Sequence, residues 1–115
     1  KTKLYYDTHK DNYKINRIKN REHIRNVKLK KHYGITLKEY NKLLIKQDGR
    51  CAICKKVETM IDPRNGVARS LAVDHCHETG KVRGLLCRIC NNGLGIFRED
   101  IGLFERVIKY LKKYG

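Results

Sequence analysis

The stretch Leu71-Ala72-Val73-Asp74-His75-Cys76-His77-Glu78-Thr79-Gly80-Lys81-Val82-Arg83-Gly84-Leu85-Leu86-Cys87-Arg88-Ile89-Cys90-Asn91 decides how this chain folds. Two short apolar runs flank Thr79-Gly80 and read as a two-stranded hairpin with a short loop. Cys87-Arg-Ile-Cys90 closes the hairpin, and a matching Cys51-Ala-Ile-Cys54 precedes it, with 32 residues between the pairs. Each C-x-x-C puts two sulfurs on one knuckle of backbone. Two knuckles brought together give a tetrahedral four-sulfur site, which selects zinc. Two disulfides would require an oxidising compartment. A redox C-x-x-C would occur once, near a βαβ pattern. Cys51, Cys54, Cys87 and Cys90 are therefore expected to hold a structural Zn²⁺. Cys76 is expected to pack as a small apolar residue or to stand as a spare thiol.

The same stretch carries a second set of donors. Asp74 offers a hard oxygen, His75 is a candidate general base, and Asn91 directly follows the last cysteine. If zinc fixes the start of a helix leaving from Cys90, Asn91 is held beside the hairpin, where it can converge with Asp74. Two oxygen ligands with open positions suit Mg²⁺ or Mn²⁺, and Mg²⁺ keeps several waters and accepts phosphate oxygens. An imidazole is the side chain suited to take a proton from water near neutral pH. Each residue has a plainer reading when taken alone. Asp74 can be a turn acid, His75 or His77 a strand-surface residue or a replacement zinc ligand, and Asn91 a helix cap. Their combination inside one cysteine frame reads as a hydrolytic site. Strict strand alternation sends Asp74 and His75 to opposite faces, so the strand is expected to end or bulge there.

Outward from this centre the chain is strongly basic. Its 115 residues hold 27 Lys/Arg against 12 Asp/Glu, a formal charge of +15. Such a chain is attracted to polyanions, and nucleic acid is the expected partner because phosphate neutralisation releases counterions. The basic residues are not confined to an amphipathic stripe opposite Trp or Phe, which argues against a membrane surface. No apolar run approaches the roughly 20 residues of a membrane span. The first thirty residues carry no secretory apolar segment, so an intracellular setting is expected.

Residues 1–34 hold 11 Lys/Arg and 3 Asp/Glu with sparse apolar residues. They read as a basic arm, either helical over 10–32 or solvated, and residues 35–115 as the domain proper. Gly34 suits a helix end. Thr36 with Glu39 makes a capping box, and Ile35 with Tyr40 a hydrophobic staple. That helix buries Leu37, Tyr40, Leu43 and Leu44 and stops near Asp48-Gly49. Residues 55–70 read as loop around the turn Asp62-Pro63-Arg64-Asn65-Gly66. Phe97, Ile101, Phe104, Ile108 and Leu111 recur at helical spacing and predict an amphipathic helix over about 100–114, capped by Asp100.

The run from Cys51-x-x-Cys54 through Val73-Asp74-His75-Cys76-His77-Glu78-Thr79-Gly80-Lys81-Val82-Arg83-Gly84 to Cys90-Asn91 resembles the recombination endonuclease VII family of HNH nucleases. Residues 33–51 resemble the lead-in of its phage members. The resemblance covers about residues 33–95. It implies an α+β fold: a small zinc-bound ββα-metal, treble-clef-like core with a two-stranded hairpin, flanked by N- and C-terminal helices. It implies a DNA endonuclease with Asp74 and Asn91 as catalytic Mg²⁺ ligands, His75 as general base and His77 as a second active-site histidine. Arg83 is implied to contact phosphate, and the four paired cysteines to hold zinc. An acidic residue one turn after the Asn is absent, Leu94 and Gly95 occupying that region. Only residues 96–115 follow the core in this sequence, so the long helices of a junction-resolving dimer are not expected. One such site cuts one strand, and a homodimer is one route to cutting both. The rival is a non-catalytic zinc module that binds nucleic acid. It accounts for the cysteines and the charge but gives Asp74, His75 and Asn91 no reason to share a frame.

Overall fold

The computed structural model describes residues 10–115, with side chains from Asn12 onward, so positions 1–9 of the expected arm lie outside the described residues. In chain order the elements are α1 (Lys10–Tyr33), α2 (Leu37–Lys46), β1 (Ala72–His75), β2 (Val82–Leu86), α3 (Arg88–Ile96) and α4 (Ile101–Tyr114). This is an α+β fold with four helices and one two-stranded antiparallel sheet among the described residues. The chain divides into two compact units, one ending at Leu43 and the other running from Leu44 to Gly115.

In the first unit, α1 runs unbroken because nothing from Lys10 to Tyr33 is Pro or Gly. It stops where Gly34 takes φ +71° and donates its N–H to the Lys30 carbonyl at 3.0 Å, the left-handed helix end that glycine adopts without strain. The capping box forms as the spacing predicts. Thr36 Oγ1 accepts from the Glu39 N–H at 3.1 Å, and Glu39 Oε1 accepts from the Thr36 N–H at 3.2 Å. Asn26 on α1 accepts the orphan N–H of Leu37 at 2.8 Å, and the Arg25 guanidinium lies 4.7 Å from the Tyr40 ring centroid. Ile35 and Tyr40, the expected staple pair, are both buried. The helix ends at Lys46, and the turn at Asp48-Gly49 follows with both residues at positive φ.

The second unit is built on the hairpin. Leu71, Val73, Leu85, Leu86 and Cys51 form its buried centre. Ala72 faces Leu86, Val73 faces Leu85 and Asp74 faces Gly84, but His75 faces Val82. Arg83 is therefore the extra residue of a bulge, and β1 ends at the same point. The ladder shifts register between Asp74 and His75, but β1 itself runs through both residues and the extra residue lies in β2. Gln47 serves β2 as a substitute strand: its Oε1 accepts the Leu85 N–H at 2.9 Å and its Nε2 donates to the Leu85 carbonyl at 2.9 Å. This approach needs Gly84, where an added Cβ would lie 3.3 Å from Gln47 Oε1.

Three local readings change. Residues 55–70 are not all loop, because Ile61 and Ala68 form a bridge. The turn inside it is held by Asp62, whose carboxylate accepts the Arg64 N–H at 2.9 Å. α3 starts at Arg88 rather than Cys90, because the Cys87 sulfur acts as its N-cap and accepts from the Cys90 N–H. α4 forms with Asp100 accepting the Leu103 N–H at 3.1 Å, yet Ile101, Ile108 and Leu111 are exposed. A periodic apolar stripe makes a helix, but it does not by itself supply a surface to bury against.

Candidate metal and catalytic centre

The four paired cysteines converge, each offering a sulfur, with all four sulfurs within 4.8 Å of one another. Cys54 Sγ and Cys87 Sγ are 3.8 Å apart. A tetrahedral zinc site with bonds of about 2.3 Å has sulfur–sulfur edges of about 3.8 Å, whereas a disulfide needs about 2.05 Å. All five cysteines are free thiols. At Cys51 burial opposes ionisation, but backbone hydrogen bonds from Cys87, Cys54 and Ile53 outweigh it and bring the thiol down to about 6. At Cys90 burial, reinforced by the neighbouring sulfurs, pushes the thiol up to about 12, and burial raises Cys87 too. Four thiolates can coexist here only around a cation. The donor set fits zinc.

The first knuckle of this cluster is held by short-range bonds. Cys51 donates its N–H to the Lys56 carbonyl at 2.9 Å, and Lys55 donates back to the Cys51 carbonyl at 3.0 Å. The buried carboxylate of Glu58 accepts the Arg88 N–H at 2.8 Å. That puts a negative charge at the N-terminus of α3, where the helix dipole favours it.

At the other end of the hairpin lies a charged cleft. Asp74 is buried, and both its oxygens are taken by the bulged residue: Arg83 Nε donates to Oδ2 at 2.7 Å and Nη2 to Oδ1 at 2.9 Å. The same Nη2 donates to Glu99 Oε1 at 2.6 Å. Asp74 first, then Glu99, hold the Arg83 guanidinium well above its ordinary range. His77 Nε2 stands 3.9 Å from Glu99 Oε1, and the His77 ring stacks on His75 with centroids 5.1 Å apart at 4°. Asn91 is half-buried on α3, its N–H bonded to the Cys87 carbonyl at 2.9 Å, and α3 packs against β1. A cleft of about 490 Å³ opens on Cys76, His77, Arg83, Arg98 and Glu99. Cys76 is thus on the cleft wall and outside the sulfur cluster.

A family model, recombination endonuclease VII, matches residues 26–113. This chain belongs to the recombination endonuclease VII family. It is similar to the Gene 59 protein of Mycobacterium phage D29, 46% identical over 82 residues, which are 70% of this chain and 46% of that protein. It is also similar to the Gene 59 protein of Mycobacterium phage L5, 48% identical over 80 residues, 69% of this chain and 44% of that protein. The chain thus spans about half the length of these curated relatives. Among solved structures it resembles the ββα-Me type II restriction endonuclease Hpy99I, with a TM-score of 0.47 and 35% identity, covering 75% of this chain and 47% of that one.

The structure of this endonuclease VII family chain gathers Asp74, His75, His77 and Arg83 at one end of the hairpin, and the helix that carries Asn91, α3, packs against β1. Sequence reasoning missed Glu99. It sits beyond α3, where Arg98 and Glu99 both adopt left-handed backbone at φ 57° and 55°. Two such non-glycine residues cost about 1–2 kcal/mol each, and strain of this kind gathers at functional sites. The turn brings to the cleft an acidic group that the residues one turn after Asn91 do not supply.

Proposed function

We propose that this chain is a divalent-cation-dependent DNA endonuclease that hydrolyses phosphodiester bonds, nicking one strand of duplex or branched DNA per event. The observation that carries this reading is the bulge at Arg83. The extra residue Arg83 pairs with buried Asp74 and with Glu99, Glu99 stands 3.9 Å from His77, and His77 stacks on His75, so contacts run from the candidate metal ligand to the candidate base. Asp74, with Asn91, would hold Mg²⁺ or Mn²⁺, and Cys51, Cys54, Cys87 and Cys90 would hold zinc. Asp74 fits a cation on this structure's own terms, since its buried carboxylate already carries one in the guanidinium of Arg83. When bound, the divalent ion supplies positive charge to the scissile phosphate and the leaving 3′ oxygen.

The chain's own residues do the rest. His75 accepts a proton from the attacking water, with its ring plane fixed by His77 stacked against it. Arg83 leaves Asp74 but keeps its bond to Glu99, so its guanidinium stays at the cleft wall to meet a phosphate oxygen. Glu99 is a positioning residue in this scheme: it gives Arg83 somewhere to go. The family resemblance implies 5′-phosphate and 3′-hydroxyl products.

The test is nicking of supercoiled plasmid with Mg²⁺. His75→Ala is expected to lower the nicking rate by about 10²–10⁴-fold, the usual range for losing a general base, with folding and DNA binding unchanged. Nicking at the wild-type rate by that variant would remove His75 from the base role. Absence of Mg²⁺-dependent nicking by the wild-type protein on linear, supercoiled and branched substrates would leave a zinc-stabilised binding module.

A further inference from the structure

Helix α1 has a feature that the cleft does not use. At 3.6 residues per turn, Lys14, Arg17, Arg21, Arg25 and Lys28 fall within roughly 80° of its circumference. They are spaced 3, 4, 4 and 3 residues apart. Lys14, Arg17, Arg21 and Lys28 are exposed, and among the described residues none of them enters an ion pair. Arg25 is half-buried and carries the Tyr40 contact. The helix packs through a different face, that of Asn26 and buried Leu29. Of the other described basic residues of α1, Lys19 and Lys30 lie about half a turn around from the stripe, and Lys31 about 80° from its middle.

We infer that this stripe is a second DNA-binding surface, separate from the cleft, which grips the phosphates of duplex DNA without reading sequence. Lys14 to Lys28 spans about 21 Å at 1.5 Å per residue, long enough to meet several successive phosphates. Lys and Arg alone make up the charged row. The base-reading amides Asn12, Asn16, Asn20 and Asn26 lie elsewhere on the helix, 100° or more from the middle of the stripe by the same count. Phosphate contacts position a protein but do not specify a site. An anionic membrane is the weaker partner, because Tyr13, Ile15, Ile18, Ile24 and Val27 scatter around the helix instead of forming one apolar face. The choice of DNA over other polyanions rests on the endonuclease reading; the stripe itself does not.

The test compares two variants of the full chain that lose equal charge from the same helix. Arg17→Gln/Arg21→Gln removes two stripe residues, and Lys19→Gln/Lys30→Gln removes two from the opposite side. Binding to a 24-base-pair duplex is titrated against salt without divalent cation or chelator, and circular dichroism checks that both variants stay folded. The stripe variant is expected to reduce the magnitude of the log K against log salt slope by about 1.8, two phosphates at about 0.9 each. Its affinity should fall roughly thirtyfold at 0.15 M salt on the same counterion term. The control should lose less than about 0.5 of slope. Permuting the duplex sequence should leave affinity within about threefold. Equal losses in both variants, no loss in the stripe variant, tighter binding to double-stranded RNA or to anionic vesicles, or strong sequence dependence would each overturn the inference. Plasmid nicking separates the two proposals. Stripe-dependent binding without nicking sinks the endonuclease and keeps the stripe, and nicking without stripe-dependent binding does the reverse.

Discussion

The hairpin holds a different kind of site at each end. Near Cys87 the donors come in tight local pairs, each knuckle held by hydrogen bonds a few residues long, with Ala52–Leu85 and Glu58–Arg88 tying the knuckles to the hairpin and to α3. Near His75 the groups come from β1, the bulge of β2 and the strained turn after α3, and they are held by one guanidinium shared between two carboxylates. The first arrangement is stiff and has one use. The second shares one cation: Arg83 is bonded to Asp74 and to Glu99 at once.

The sharpest way to break this contrast is to remove one sulfur. Cys90→Ser is expected to abolish cooperative thermal unfolding and stoichiometric zinc. Structural zinc sites contribute on the order of 10–16 kcal/mol, against a whole-domain stability of about 5–15 kcal/mol. Cys76→Ser should keep both. Circular dichroism and metal analysis check the pair, and a folded, zinc-free Cys90→Ser protein would mean the cluster is not the anchor.

The cleft should respond in affinity rather than in folding. Glu99→Gln is expected to weaken Mn²⁺ binding about tenfold, the low end for a residue supporting a ligand, because Arg83 then has no second carboxylate to move to. Arg83→Gln should tighten Mn²⁺ binding and make the Glu99 substitution nearly silent. Titration followed by electron paramagnetic resonance reads this without any cleavage assay. Weaker Mn²⁺ binding by Arg83→Gln would show that the guanidinium does not compete for Asp74.

Gln47→Leu tests the support shared by both ends of the hairpin. It strips both Gln47 hydrogen bonds from Leu85; the Leu85 carbonyl keeps the Ala52 N–H, but the buried Leu85 N–H is left unpaired, at a cost of about 1–3 kcal/mol, visible as a lower melting temperature with zinc retained. The smallest effect belongs to Asp62, away from both sites. The Arg64 side chain, then the Arg64 N–H, hold its carboxyl at about 2, below the ordinary 3.8. A carboxyl lowered in the folded state adds stability above its unfolded value and loses it as pH falls through its folded value. Stability should therefore decline between about pH 4 and 2, and Asp62→Asn should flatten that part of the denaturation profile. An unchanged profile would mean the pair at this turn is solvent-screened.

The sequence by itself determined the four-sulfur frame, the hairpin, the capping box at Thr36 and Glu39 and the end of α1 at Gly34. All of these rest on residues a few positions apart, where spacing alone fixes geometry. It also called for a break between Asp74 and His75 if both are to serve one site, because strand alternation sends neighbours to opposite faces. Only the tertiary structure decided which strand carries the extra residue and that Arg83 sits on Asp74. It also decided that Glu99 reaches the cleft, that Gln47 and Glu58 complete the backbone bonds of β2 and α3, and that the apolar stripe of α4 stays exposed. These depend on where a side chain's partner lies after the chain has closed on itself. An arginine, a glutamate or a row of leucines looks the same in sequence whether that partner arrives or not.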